Sequence, residues 1–271
     1  MRNLASLALI LVVALEANPA TVAAQARQSA PPAQAASARR GPDLLGLYPR
    51  MPAAEARRRL QAHSDANRVQ DLAPNNPELG FTLLVNDPQG GSDNIIMVYV
   101  TAAPNAPVVW AITNTASYAA TNGRLDNLVA KSTLLATLRE KYGKETTLQE
   151  SGPTRTTYWW FFEQNGQQVA SADLRTLKSC LTLWKGYTAI ATTTLPPPPS
   201  AQLQPCLSSY YAVSVELSLY GPQVVNGFEA TLVNLPLGYR AAVATINARS
   251  AAAEAARKQE LEKARKKKPV F

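Results

Sequence analysis

Thr156-Thr157-Tyr158-Trp159-Trp160-Phe161-Phe162-Glu163 is the stretch on which the fold turns. Alternation along a strand sends Tyr158, Trp160 and Phe162 to one face and Trp159 and Phe161 to the other. A strand in a sheet covered on both faces accommodates aromatic bulk on both sides. The competing reading is a platform on which a sugar or peptide stacks, and it makes Trp159 and Phe161 candidate interaction-surface residues. Gln164-Asn165-Gly166 follows, and Asn-Gly between apolar flanks marks a hairpin whose return strand runs over 167–172.

Upstream, strands are expected over 81–85, 95–101 and 108–113, with Val98 and Val100 on one face and Met97 and Tyr99 on the other. Pro52 suits the first turn of a helix continuing to His63, with Ala56, Leu60 and His63 on one side and Arg57, Arg58 and Arg59 spread over the rest. That arginine triplet reads as a solvated face near Glu55 and Asp65 rather than an anion site. A second helix is expected over 124–142, with Leu125, Leu128, Val129, Leu135, Leu138 and Tyr142 as its apolar stripe and Gly143 as its stop. Downstream, strands over 181–193 and 208–220 flank a proline loop. The fold class is therefore α+β, an antiparallel sheet with helices on one face. The order of elements also allows two tandem units of a helix and three strands, divided near residue 120.

The ends of the chain read differently. Residues 4–15 form a 12-residue apolar run after Arg2, and Ala24-Gln25-Ala26 offers a cleavage site, so residues 1–26 read as a secretory signal. The run is shorter than the roughly 20 residues a membrane span needs, and no later stretch is long and apolar enough. The mature chain is expected in a periplasm or outside the cell. No cysteine near the cleavage site offers a bacterial lipid anchor. Residues 27–42, rich in Ala, Pro, Gln and Ser, read as a disordered linker before a domain over 43–240. Residues 241–271 read as a basic helix and tail that project from the body or fray, with Glu254–Lys258 and Glu262–Lys266 pairs along it. Cys180 and Cys206, an even pair in an oxidising compartment, are expected to form a disulfide across the base of the proline loop.

Charge and chemistry narrow the function. Residues 41–248 carry 15 basic and 15 acidic side chains, while residues 249–271 carry eight basic and three acidic. The net charge of +8 thus arises at the ends, which argues against a nucleic-acid-binding body. Arg265, Lys266, Lys267 and Lys268 form a candidate anion-binding cluster for anionic lipid, lipopolysaccharide or acidic polymer. The chain has one histidine, His63, expected at a helix end, and none of the common hydrolase, zinc or phosphate-loop motifs. No cofactor or metal is expected, and the chain reads as a non-enzyme. Three hypotheses remain, in order: a module binding an envelope protein through its sheet face, an envelope tether acting through the tail, and a carboxylate-dependent envelope hydrolase.

Asp43-Leu44-Leu45-Gly46-Leu47-Tyr48-Pro49-Arg50-Met51-Pro52-Ala53-Ala54-Glu55-Ala56 resembles the opening motif of small exported α/β modules of the BamE-like and β-lactamase-inhibitor-protein-like kind. In that pattern a strand ends in Gly-aliphatic, and Gly-Met-Pro, Ser or Thr then opens a helix with an acidic residue in its first turn. Arg50 stands where the family usually has glycine. The resemblance covers about 20 residues and implies protein–protein contact rather than catalysis.

Overall fold

A computed structural model describes residues 41–63, 69–73, 75–86, 92–118, 128–169 and 210–267. The signal segment, the linker up to residue 40, Lys268 and both cysteines, with their expected disulfide, lie outside the described residues. So do the strand expected over 181–193 and the proline loop.

The aromatic strand sits where alternation puts it. Tyr158, Trp160 and Phe162 join one buried cluster, and Trp159 and Phe161 join another on the opposite face. Among the described residues the sheet has nine strands, all pairing antiparallel. In chain order the elements are α1 (Ala53–Gln61), β1 (Gln70–Asp71), β2 (Gly80–Asn86), β3 (Ser92–Val100), β4 (Val109–Tyr118), β5 (Val129–Ala130), α2 (Lys131–Tyr142), β6 (Thr147–Glu150), β7 (Arg155–Glu163), β8 (Tyr210–Tyr220), β9 (Val224–Asn234) and α3 (Leu235–Lys266). Spatial order is β1-β2-β3-β4-β9-β8-β7-β6, with β5 also on β9. Each of the first two helices precedes a run of strands, and the runs meet at the β4–β9 pair. A short edge strand, β1 or β6, brings each run to four, and short edges limit unwanted pairing.

The inner face of the sheet carries α1 and α2. Ala56 and Leu60 of α1 are fully buried there, and Leu134, Leu135 and Leu138 of α2 pack against the same cluster. Leu47 and Met51, fully buried, fill the space beside them. The φ of 72° at Arg50 is left-handed, and its N–H donates to Val109 O at 2.7 Å, tying the segment before α1 to β4. α2 stops at Gly143, whose φ is 79°. Trp160 Nε1 donates to Gly143 O at 2.8 Å, and the Tyr142 hydroxyl donates to Asp43 O at 2.6 Å. Burial raises the Tyr142 phenol well above its ordinary range.

Three boundaries differ from those expected by five residues or more. β4 runs on to Tyr118, because its polar residues Thr115 and Ser117 face away from the inner core while Ala116 packs inward. α2 begins at Lys131, because Val129 and Ala130 pair with Val225 and Val224 of β9 instead of continuing the helix. α3 begins at Leu235, six residues before the expected start at 241: Asn234 Oδ1 caps it by accepting from Leu237 N at 3.1 Å.

The root of α3 is fixed on the outer face. Leu235 is fully buried in the cluster with Trp110, Trp159 and Phe161. Gly238 lies so close to Trp110 that an added Cβ would stand 2.4 Å from the ring. Thr245 Oγ1 donates to Ala102 O at 3.1 Å, and Asn105 Nδ2 donates to Ala241 O at 3.1 Å. Arg249 pairs with Glu78. From Asn247 to Lys266 every residue is exposed, about 30 Å of free helix at about 1.5 Å per residue. Glu254 and Lys258 pair along it at 2.9 Å.

Candidate interaction surface

The register of the sheet assembles a row of side chains that no local motif announces. Leu84 stands opposite Ile95, Ile95 opposite Thr115, and Thr115 opposite Glu229. Glu229 faces Glu216, Glu216 faces Thr157, and Thr157 faces Gln149. Seven strands at the usual spacing make this row about 29 Å long. By alternation it lies on the outer face, beyond the apolar cluster at the root of α3.

The row has a gradient of chemistry. Leu84 is 46% exposed and Ile95 38% exposed, adjacent aliphatic side chains on an open part of the sheet. In the middle, two carboxylates oppose each other on the central strands β8 and β9. The Arg155 guanidinium lies 3.8 Å from Glu216, and the Thr157 hydroxyl donates to the same carboxylate at 3.4 Å. Glu229 is exposed and makes no hydrogen bond or ion pair among the described residues. Its charge acts inward as well: burial lifts the Tyr99 phenol to about 12, and the nearby Glu229 carboxylate pushes in the same direction.

Like charges directly opposite on paired strands are destabilising. The Glu229→Gln substitution should therefore stabilise the domain by about 0.2–1 kcal/mol at neutral pH. Urea denaturation of both proteins checks this.

The opposition depends on a bulge. Tyr220 pairs with Val224 and Leu219 with Val225, but Ser218 pairs with Gly227, so Asn226 is an extra residue in β9. An unbroken register would set Phe228 opposite Glu216. No composition or spacing signal marked the carboxylate pair, because its two members are joined only by this shift.

The residues singled out from the sequence fall elsewhere. Trp159 is 1% exposed and Phe161 is fully buried, their rings stacked at 6.0 Å and 4°, so neither presents an interaction surface. The reason is the two-sided covering of β7. Arg265, Lys266 and Lys267 are exposed at the end of α3, far along the helix from its buried root. His63 follows α1, and its Nε2 lies 3.3 Å from Leu45 O. Arg58 and Arg59 both reach Glu55, at 3.1 and 2.7 Å, and these hydrogen bonds hold its carboxyl below the usual carboxylate range, with Arg59 the larger influence. Arg57 pairs with Asp71 and lies 4.8 Å over the Phe81 ring. The triplet is thus taken up by neighbours on the domain surface.

A cleft of about 480 Å³ lies beside α1, lined by Ala53, Phe81, Val100 and Asn105 together with Arg57 and Glu78. Both charged residues already hold an ion pair, to Asp71 and Arg249. Among the described residues no group of three or more His, Cys, Asp or Glu side chains gathers to hold a metal, and no helix is long and apolar enough to cross a membrane. The chain matches no protein-family model, and the searches of curated proteins and of solved structures return no match.

Proposed function

We propose that this chain is an exported, non-catalytic protein-interaction module that engages an envelope protein through the outer face of its sheet. The observation that supports the reading is the stretch of the row from Leu84 to Glu229, with its exposed aliphatic pair and an exposed carboxylate on the same face. A partner offering an apolar side chain and a cation would cover Leu84 and Ile95 and pair with the exposed Glu229 in one contact. That pairing would add to the binding free energy, and the charge pattern would favour one orientation of docking.

The test is crosslinking in the native envelope with the full chain, with a chain lacking residues 249–271, and with Ile95→Lys and Glu229→Lys variants. One protein should be recovered stoichiometrically with the first two and lost with both substitutions. Recovery that survives both substitutions, or that disappears with the tail, would overturn the reading.

The opposed carboxylates also favour a second reading, an envelope hydrolase in which one serves as acid and the other as base or nucleophile. That reading requires Glu229→Gln to abolish turnover of an envelope polymer while the fold is retained.

A further inference from the structure

We propose that the tip of α3 is a membrane-contact element that meets an anionic bilayer end-on, with the exposed helix as a spacer holding the sheet about 30 Å from the lipid. The cations are densest at the far end. Lys263, Arg265, Lys266 and Lys267 are all exposed, against Glu262 in the same stretch. Nearer the body, Arg249 is held by Glu78.

The arrangement of the charges selects the partner. At about 100° per residue, Arg265, Lys266 and Lys267 point to three sides of the helix, and Lys263, one turn back, lies between the directions of the last two. The charges ring the rod instead of lining it. A linear polyanion such as an acidic polysaccharide would be matched by a stripe along the helix, whereas a plane met end-on is matched by a ring. The helix also lacks an apolar face with which to lie in the headgroup region. Its alanines fall on all sides, and Leu261, 53% exposed, is the one large aliphatic residue between 247 and 267. At the other end, Gly238 against Trp110 and the Asn105 and Thr245 hydrogen bonds fix the direction in which the rod leaves the body.

The experiment is cosedimentation of the full mature chain with phosphatidylcholine vesicles, with and without phosphatidylglycerol. Binding should require phosphatidylglycerol and be released near 1 M salt, where the screening length is about 3 Å. Combining Lys263→Gln, Arg265→Gln and Lys266→Gln should reduce partitioning about a hundredfold, with helicity by circular dichroism unchanged. Glu229→Lys should bind vesicles as before, which separates this inference from the sheet-surface reading.

The spacer is tested by energy transfer to a lipid-linked acceptor from Trp110, Trp159 and Trp160, which are buried in the body, in a protein carrying Trp184→Phe. Transfer should be weak, and it should rise when residues 250–256, about two turns, are deleted. Equal binding to both vesicle types, unchanged binding of the triple variant, capture of alginate but not of vesicles, or transfer indifferent to the deletion would each overturn the proposal.

Discussion

Replacing Trp160 by alanine should cost the domain about 3–5 kcal/mol, a large share of the roughly 5–15 kcal/mol that holds a domain folded. The indole is fully buried at the inner face. Its ring contacts Tyr142 at 5.6 Å and Tyr158 at 6.4 Å, so its removal leaves a cavity between α2 and the sheet. It also takes away the donor that satisfies Gly143 O, the carbonyl at the end of α2. Trp160→Phe separates the two contributions. It keeps most of the ring and loses the hydrogen bond, so its cost should lie nearer about 1–3 kcal/mol, the loss of one bond to a half-buried carbonyl together with part of the ring's packing. Equilibrium denaturation followed by circular dichroism measures both. A Trp160→Ala loss below about 1 kcal/mol would mean that the inner core does not depend on this ring.

The second large effect belongs to Gly80, where Gly80→Ala should cost about 3 kcal/mol or more. Its φ of 147° is one that side chains other than glycine rarely adopt, and an added Cβ would lie 2.0 Å from Val98 O. The obstructing atom is backbone, so no rotamer change relieves the clash. β2 must move away from β3 where Gly80 pairs with Tyr99, and the Leu72 N–H that donates to Gly80 O at 3.0 Å loses its place. The loss should appear as faster hydrogen exchange along β2 and β3, while exchange in β7 and β8 follows only the global change. Thr82→Ala, two residues along the same strand, serves as the control and should cost far less. A Gly80→Ala protein with native exchange in β2 would contradict the close approach of the two strands.

Much of the fold was legible because it rests on local rules. The alternation of residues 156–163 predicted a strand buried on both sides, and β7 is one. The same alternation sorted Val98 and Val100 from Met97 and Tyr99. Gly143 ends α2 because the next residue would need a conformation that glycine adopts freely. The projecting helix followed from a run of alanines and charges with little to bury beyond Ile246.

The candidate site was not legible. Glu216 and Glu229 are ordinary acidic residues in their own strands, and nothing in either local stretch pairs them. Their opposition needs the β8–β9 hairpin and the extra residue Asn226, and a one-residue slip would replace Glu229 with Phe228. Leu84 and Ile95 joined the same row only when β4 paired with β9 and made one sheet of the two runs of strands.

Local pattern was enough for the antiparallel α+β class, the two-faced aromatic strand and the separation of a neutral body from a basic end, because periodicity and charge are properties of short segments. Long-range packing was needed to seat Gly238 of α3 on Trp110 and to set two carboxylates opposite each other on the central strands. Each of these is fixed by pairing or packing between residues distant in the chain, and such contacts have no counterpart in local pattern.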